Sequence, residues 1–166
     1  MRIELKNIKH FESMSEETFC FNASLYVDGK RVGAVSNRGH GGCHEYDVNN
    51  DTVRELNQWC KENLPKWSMD DQEYETDLEL HISNLVADFL DTKHIKNLLK
   101  RSVVVMDDTC EEGECWVYKF SQYRHLQRDE LISGVVARTS SDERLINPVV
   151  LNTLPLGEAR HIFYRT

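Results

Sequence analysis

Between residues 19 and 27 apolar and polar side chains alternate strictly. Phe19, Phe21, Ala23, Leu25 and Val27 are interleaved with Cys20, Asn22, Ser24 and Tyr26, the period of two that marks a strand with one buried face. Asp28-Gly29 follows, a pair suited to a two-residue hairpin turn because both central positions need positive φ. That turn predicts that Val27 faces Lys30, Leu25 faces Val32 and Ala23 faces Ala34 on an apolar face. Tyr26 with Arg31, Ser24 with Gly33 and Asn22 with Val35 then form a more polar one. Upstream, Ile3 and Leu5 against Glu4 and Lys6 predict a first strand over residues 2–10, and residues 11–17 read as a polar connector.

The period then changes from two to 3.6. Thr52 and Glu55 have the spacing of a capping box, and Val53, Leu56, Cys60 and Leu64 recur at helical intervals until Pro65, with Trp59 beside the stripe. Thr76-Asp77-Leu78-Glu79 repeats the capping signal. Leu78, Ile82, Leu85, Val86, Phe89 and Leu90 then fall on one broad helical face that can cover a sheet, with Leu85 and Phe89 expected in the core and a break expected near Thr92. Asp77 and Glu79 early, with Lys96, Lys100 and Arg101 late, complement the helix dipole. Val103 to Met106 and Cys115 to Phe120 predict a second hairpin. Leu131, Ile132, Val135 and Val136 predict a further helix, and Ala159, Ile162 and Phe163 a last one, with Pro155 near its first turn.

Strands that cluster rather than alternate with helices predict an α+β fold. The expected arrangement is an antiparallel sheet from the N-terminal strands and the second hairpin, packed against several helices. At 166 residues the chain is expected to form a single domain, 1–166, able to bury a core without staples. No apolar run approaches the roughly 20 residues of a membrane span, and the N-terminus lacks the apolar segment of a secretory signal. Five cysteines, an odd number, argue for reduced thiols and a cytoplasmic location. The net charge of −8 repels phosphates and anionic lipids, so neither direct nucleic-acid binding nor membrane association is expected, and basic partners are.

Candidate chemistry concentrates just after the first hairpin, at Asn37-Arg38-Gly39-His40-Gly41-Gly42-Cys43-His44. Backbone N–H groups of glycine-rich segments form concave nests for anions, and Arg38 adds charge; the plain alternative is that the glycines let the chain reverse at low strain. Neither a Walker loop nor a dinucleotide fingerprint is present. His40, Cys43 and His44, with Cys20, make an incomplete zinc set, because the paired spacings of structural zinc sites are missing. Cys43 with His40 or His44 is the only local thiol–imidazole pairing, and no full triad or carboxylate pair accompanies it. No cofactor, metal ligand or catalytic residue is therefore assigned, and the binding residues expected are Asn37, Arg38, Gly39, His40, Gly41, Gly42 and His44. Two acidic strips, one of Asp70, Asp71, Glu73, Glu75, Asp77 and Glu79 and one of Asp107, Asp108, Glu111, Glu112 and Glu114, read as solvated charge.

At Tyr26-Val27-Asp28-Gly29-Lys30-Arg31-Val32-Gly33, at Asn37-Arg38-Gly39-His40-Gly41-Gly42 and at the start Ile3-Glu4-Leu5-Lys6-Asn7-Ile8-Lys9, the chain resembles a group of small uncharacterised proteins encoded by tailed phages and prophages. The resemblance covers mainly the first third. It implies a viral accessory protein in a bacterial host cytoplasm, of a kind that blocks host defences by binding a protein or by sequestering a nucleotide signal. The expected function is a non-enzymatic protein that binds a host protein with a basic surface through the 37–44 loop and an acidic face. The alternative is a small-ligand or nucleotide binder using the same loop.

Overall fold

A computed structural model describes residues 1–70, 72–111 and 113–165. Asp71 and Glu112, members of the two acidic strips, lie outside the described residues. The fold is α+β with antiparallel sheets. The chain groups into two compact units, Met1–Phe89 and Leu90–Thr166. The negative charge is uneven between them. Residues 1–89 hold nine Lys and Arg against seventeen Asp and Glu, whereas residues 90–166 hold eleven of each, so the whole net charge of −8 belongs to the first unit.

The first unit is built on a four-stranded sheet of β1 (Ile3–His10), β2 (Phe21–Val27), β3 (Lys30–Asn37) and β4 (Glu45–Asp47), in that order. Asp28 and Gly29 adopt φ of 47° and 79°, the paired positive values that the hairpin turn requires. Val27 faces Lys30 and Tyr26 faces Arg31 as expected, but the register then slips by one residue, and Leu25 faces Gly33 rather than Val32. This bulge moves Val35 opposite Ala23 and into the core, where it is 1% exposed, instead of onto the polar face opposite Asn22. A one-residue slip exchanges the two faces of a strand. Gly33 has a reason to sit at the slip, since a β-carbon there would lie 2.1 Å from the Asp47 carbonyl oxygen of β4.

The first helix, α1 (Asn50–Asn63), is capped by Asn49, whose side chain accepts from the Asp51 N–H, and not by Thr52. Leu56 and Cys60 are buried on its inner face. The stretch expected to be a plain connector contains a short hairpin, β5 (Trp67–Met69) with β6 (Gln72–Tyr74), in which Trp67 stacks on Tyr74. The helix α2 (Leu78–Arg101) runs unbroken past Thr92. Asp77 caps it by accepting from the Leu80 N–H at 2.8 Å, while Thr76 donates to the Pro65 carbonyl and Glu79 turns to His44. Leu78, Ile82 and Val86 are buried, a straight i, i+4, i+8 stripe. Leu85 and Phe89, expected in the core, flank that stripe and are only half-buried.

In the second unit the sheet order is β8 (Trp116–Lys119), β7 (Ser102–Met106), β9 (Val149–Val150). The second hairpin therefore belongs to a sheet of its own and not to the N-terminal one. All five residues of β7 are buried, because both faces of the strand are covered. Val104 and Met106 pack with Ile95 of α2, Leu151, and Ala159 and Phe163 of α4 (Leu156–Tyr164). Val103 and Val105 pack with Leu131 and Val135 of α3 (Arg128–Ser140). A continuous apolar run is what a strand covered on both faces requires. Pro155 stands at the N-cap of α4, as expected.

The turn after β7 is not simply solvated charge. Asp107 is buried and accepts from the Thr109 N–H and hydroxyl, the Cys110 thiol and the Ile146 N–H. Those bonds, the Thr109 hydroxyl foremost, hold its carboxyl down to about 2.

Candidate functional site

The 37–44 loop is organised from the inside by Asn37, which is 5% exposed. Its Oδ1 accepts from the Gly39 N–H and the Thr18 hydroxyl, both at 2.8 Å. Its Nδ2 donates to the Gly42 carbonyl at 2.8 Å and to His44 Nδ1 at 3.1 Å. The amide cannot be reversed, because an NH2 group cannot accept from Gly39 nor an oxygen donate to Gly42.

This orientation fixes the state of His44. An amide N–H pointing at Nδ1 requires that nitrogen to be an unprotonated acceptor, so the proton sits on Nε2, which lies 3.1 Å from the Ser83 hydroxyl. The His44 side chain is 6% exposed and packs edge-on to Phe21 at 5.2 Å between ring centres. Its backbone N–H donates to Glu79 Oε1 at 2.7 Å. Burial pushes the His44 pKa below its ordinary value of 6.5, against the opposing pull of the Glu79 carboxylate. The 3.4 Å approach of Nδ1 to Glu79 is thus a contact of a neutral ring and not an ion pair. Burial and Glu79 likewise push the Tyr46 hydroxyl up, where it donates to Glu79 Oε2 at 3.4 Å.

A lowered folded-state pKa means that the unfolded chain binds the proton more readily. The contribution of neutral His44 to stability is complete above 6.5 and is lost as pH falls through the folded-state pKa. An NMR titration of the His44 ring should show a midpoint below 6.5. A midpoint above it would contradict the neutral, Asn37-held ring.

Gly39 is buried, with φ of 88°. Its carbonyl oxygen accepts from three successive N–H groups, those of Glu16 and Glu17 at 2.9 Å and Thr18 at 3.3 Å. Three converging amides are the concave nest that was expected for an anion. It lies on the connector and not on the glycine loop, and the loop's own carbonyl fills it. Ser15 fastens the same connector by accepting from the Cys20 N–H and donating to the Phe11 carbonyl.

The remaining loop residues face outward. Arg38 pairs with Glu45 at 3.0 Å, and His40 Nδ1 lies 3.1 Å from Glu16 Oε2. Gly41 and Gly42 are exposed. Cys43 is exposed, and both ring nitrogens of His44 are engaged elsewhere, so that imidazole is not placed to take a proton from it. Among the described residues no group of three or more His, Cys, Asp or Glu is arranged to hold a metal ion.

Beside the loop, the connector and α2 enclose a cavity of about 380 Å³, within the range of small-ligand sites, about 300–1,000 Å³. Glu16, Glu17 and Glu79 bring three carboxylates to its wall, Phe19 and Phe21 supply aromatic surface, and Gly42 and His44 form the loop side. Glu79 and Glu16 are engaged as described. The Glu17 carboxylate has no hydrogen-bond or ion-pair partner among the described residues. The connector residues escaped the sequence reading because a polar stretch between strands carries no periodic signal.

Comparison with protein-family models, curated proteins and solved structures finds no match. The site must be read from its own chemistry. Among the described residues no helix is long and apolar enough to cross a membrane.

Proposed function

We propose that this chain is a non-enzymatic binding protein, a phage accessory protein that engages a host protein by receiving a lysine or arginine side chain in the cavity beside the 37–44 loop. The observation that carries this reading is the uncompensated carboxylate of Glu17 in a cavity already holding Glu16 and Glu79. Phe19, 42% exposed at the rim, offers an aromatic surface on which a cationic stem can lie. The excess of acidic residues in this unit steers basic partners toward it. The same three carboxylates repel phosphate, which favours the protein partner over a nucleotide signal. Asn37, Gly39 and His44 then act by holding the loop, Gly42 borders the cavity, and His40 and Gly41 are exposed beside it.

Selection of random displayed peptides on the protein tests this reading, with Glu17→Gln run in parallel. A class of binders carrying lysine or arginine beside an aromatic or aliphatic residue is expected. Glu17→Gln should weaken that class about tenfold, equivalent to about 1.4 kcal/mol, and added salt should weaken it too. If no basic class dependent on Glu17 emerges, the reading fails.

A further inference from the structure

A second and larger cavity lies wholly within the other unit and is independent of the site above. His94, Leu98 and Arg101 fall at i, i+4 and i+7 on one face of the last turns of α2. Opposite them stand Val117 and Lys119 of β8, whose partners in the register are Val104 and Ser102. Directly opposed residues of an antiparallel pair share a sheet face, so Val117 and Lys119 lie on the face that meets Ile95 and Leu98. Between helix and strand is a groove of about 860 Å³.

Its charge is of one sign. Arg101 and Lys119 line it, no carboxylate does, and neither cation has an ion-pair partner among the described residues. Arg128 adds a third positive group close by. It lies 4.9 Å over the ring of Phe120, itself a lining residue, and donates to the carbonyls of Leu99 and Lys100 at the end of α2. Ser102 is 2% exposed and lines the groove, and its hydroxyl has no hydrogen-bond partner among the described residues. The strand beside the groove is an edge. In the order β8-β7-β9, β8 has a strand on one side only among the described residues, which leaves backbone donors and acceptors open on the other. Val117 is 38% exposed there.

We propose that this groove is a docking site for an extended acidic segment of a partner protein, which adds as a further strand to β8 and directs its carboxylates at Arg101 and Lys119. Strand addition supplies main-chain hydrogen bonds, and alternate side chains of the added strand enter the groove. Leu98, Val117 and Phe120 give an apolar floor for the side chains that alternate with the carboxylates.

Fluorescence polarisation with a fluorescein-labelled octapeptide of alternating valine and glutamate tests the proposal on the full chain. The peptide should bind, and replacing its glutamates by lysines should weaken binding at least tenfold. N-methylating every second backbone amide should weaken it at least tenfold in one of the two possible registers and little in the other. Arg101→Glu with Lys119→Glu should also cost at least tenfold with an unchanged circular dichroism spectrum; if that pair fails to fold, Lys119→Glu alone, at an exposed position, should cost at least threefold. No binding, equal binding of the lysine peptide, or indifference to N-methylation in both registers would overturn the proposal. So would competition by acetyl-Val-Glu-amide at the octapeptide's own concentration, which would make the groove a small-anion site.

Discussion

Gly39→Ala should leave the first unit unfolded or destabilise it by about 3–5 kcal/mol, the range of large single-site effects with a named steric cause. Two independent penalties coincide there. The φ of 88° lies where a side chain is strained, and a β-carbon would stand 2.1 Å from the Met14 carbonyl oxygen and 2.9 Å from Cys20 Cβ. Neither neighbour can withdraw cheaply, because the connector containing Met14 is tied back to Gly39 through the three amides of residues 16–18. Gly42→Ala is the matched control. Among the described residues nothing lies within 4 Å of a β-carbon at Gly42 and no positive φ is required, so its unfolding free energy should match the parent within about 0.5 kcal/mol. Equal effects of the two substitutions in urea melts would show that the loop is not held as described.

Replacing Asn37 should have the next largest effect, and the choice of replacement separates packing from proton placement. Asn37→Ala strips partners from the Gly39 N–H, the Gly42 carbonyl, the Thr18 hydroxyl and His44 Nδ1. At about 1–3 kcal/mol for each buried group left unpaired, and with some reached by water, a loss of about 3–5 kcal/mol is expected. Asn37→Asp keeps an acceptor for Gly39 and Thr18 but turns a second oxygen toward His44 Nδ1, where a donor stood. His44 should then take up a proton on Nδ1, and its NMR titration midpoint should rise above that of the parent. With a midpoint carried above 6.5, the sign of the pH dependence reverses: the His44 contribution is complete below 6.5 and is lost as pH rises through the folded-state pKa. An unmoved midpoint would contradict the tautomer assigned to His44.

The elements with a strong local period were legible in the sequence. The Asp28-Gly29 turn, the Leu78-Ile82-Val86 stripe, the second hairpin and the two later helices all follow from spacing and turn chemistry that need no distant partner. What escaped depends on contacts from elsewhere in the chain. The slip that pairs Leu25 with Gly33 answers to β4, whose Asp47 carbonyl leaves no room for a side chain at that point. Phe89 and Leu85 match the helical period but lie beside the buried stripe, and periodicity alone does not say which edge of a broad apolar face is covered. The glycine loop allowed two readings, an anion nest or a chain reversal at low strain. Gly39 supplies an oxygen to a nest made by the connector, and the charge beside it comes from Glu16, Glu17 and Glu79. Asp107 was hidden in the same way, since one buried carboxylate among five acidic positions has no distinguishing signal until the Thr109 and Ile146 amides are found around it.

The central claim is that a cationic side chain enters the cavity between the connector and the 37–44 loop. Titrating the isotopically labelled protein with an arginine-bearing peptide from the selection, and following its backbone amide resonances, tests that claim most directly. The largest shifts should fall on Glu16, Glu17, Thr18, Phe19, Gly42 and Ser83, which line the cavity, and should vanish in Glu17→Gln. Shifts confined to other residues, or the same pattern persisting in Glu17→Gln, would contradict it.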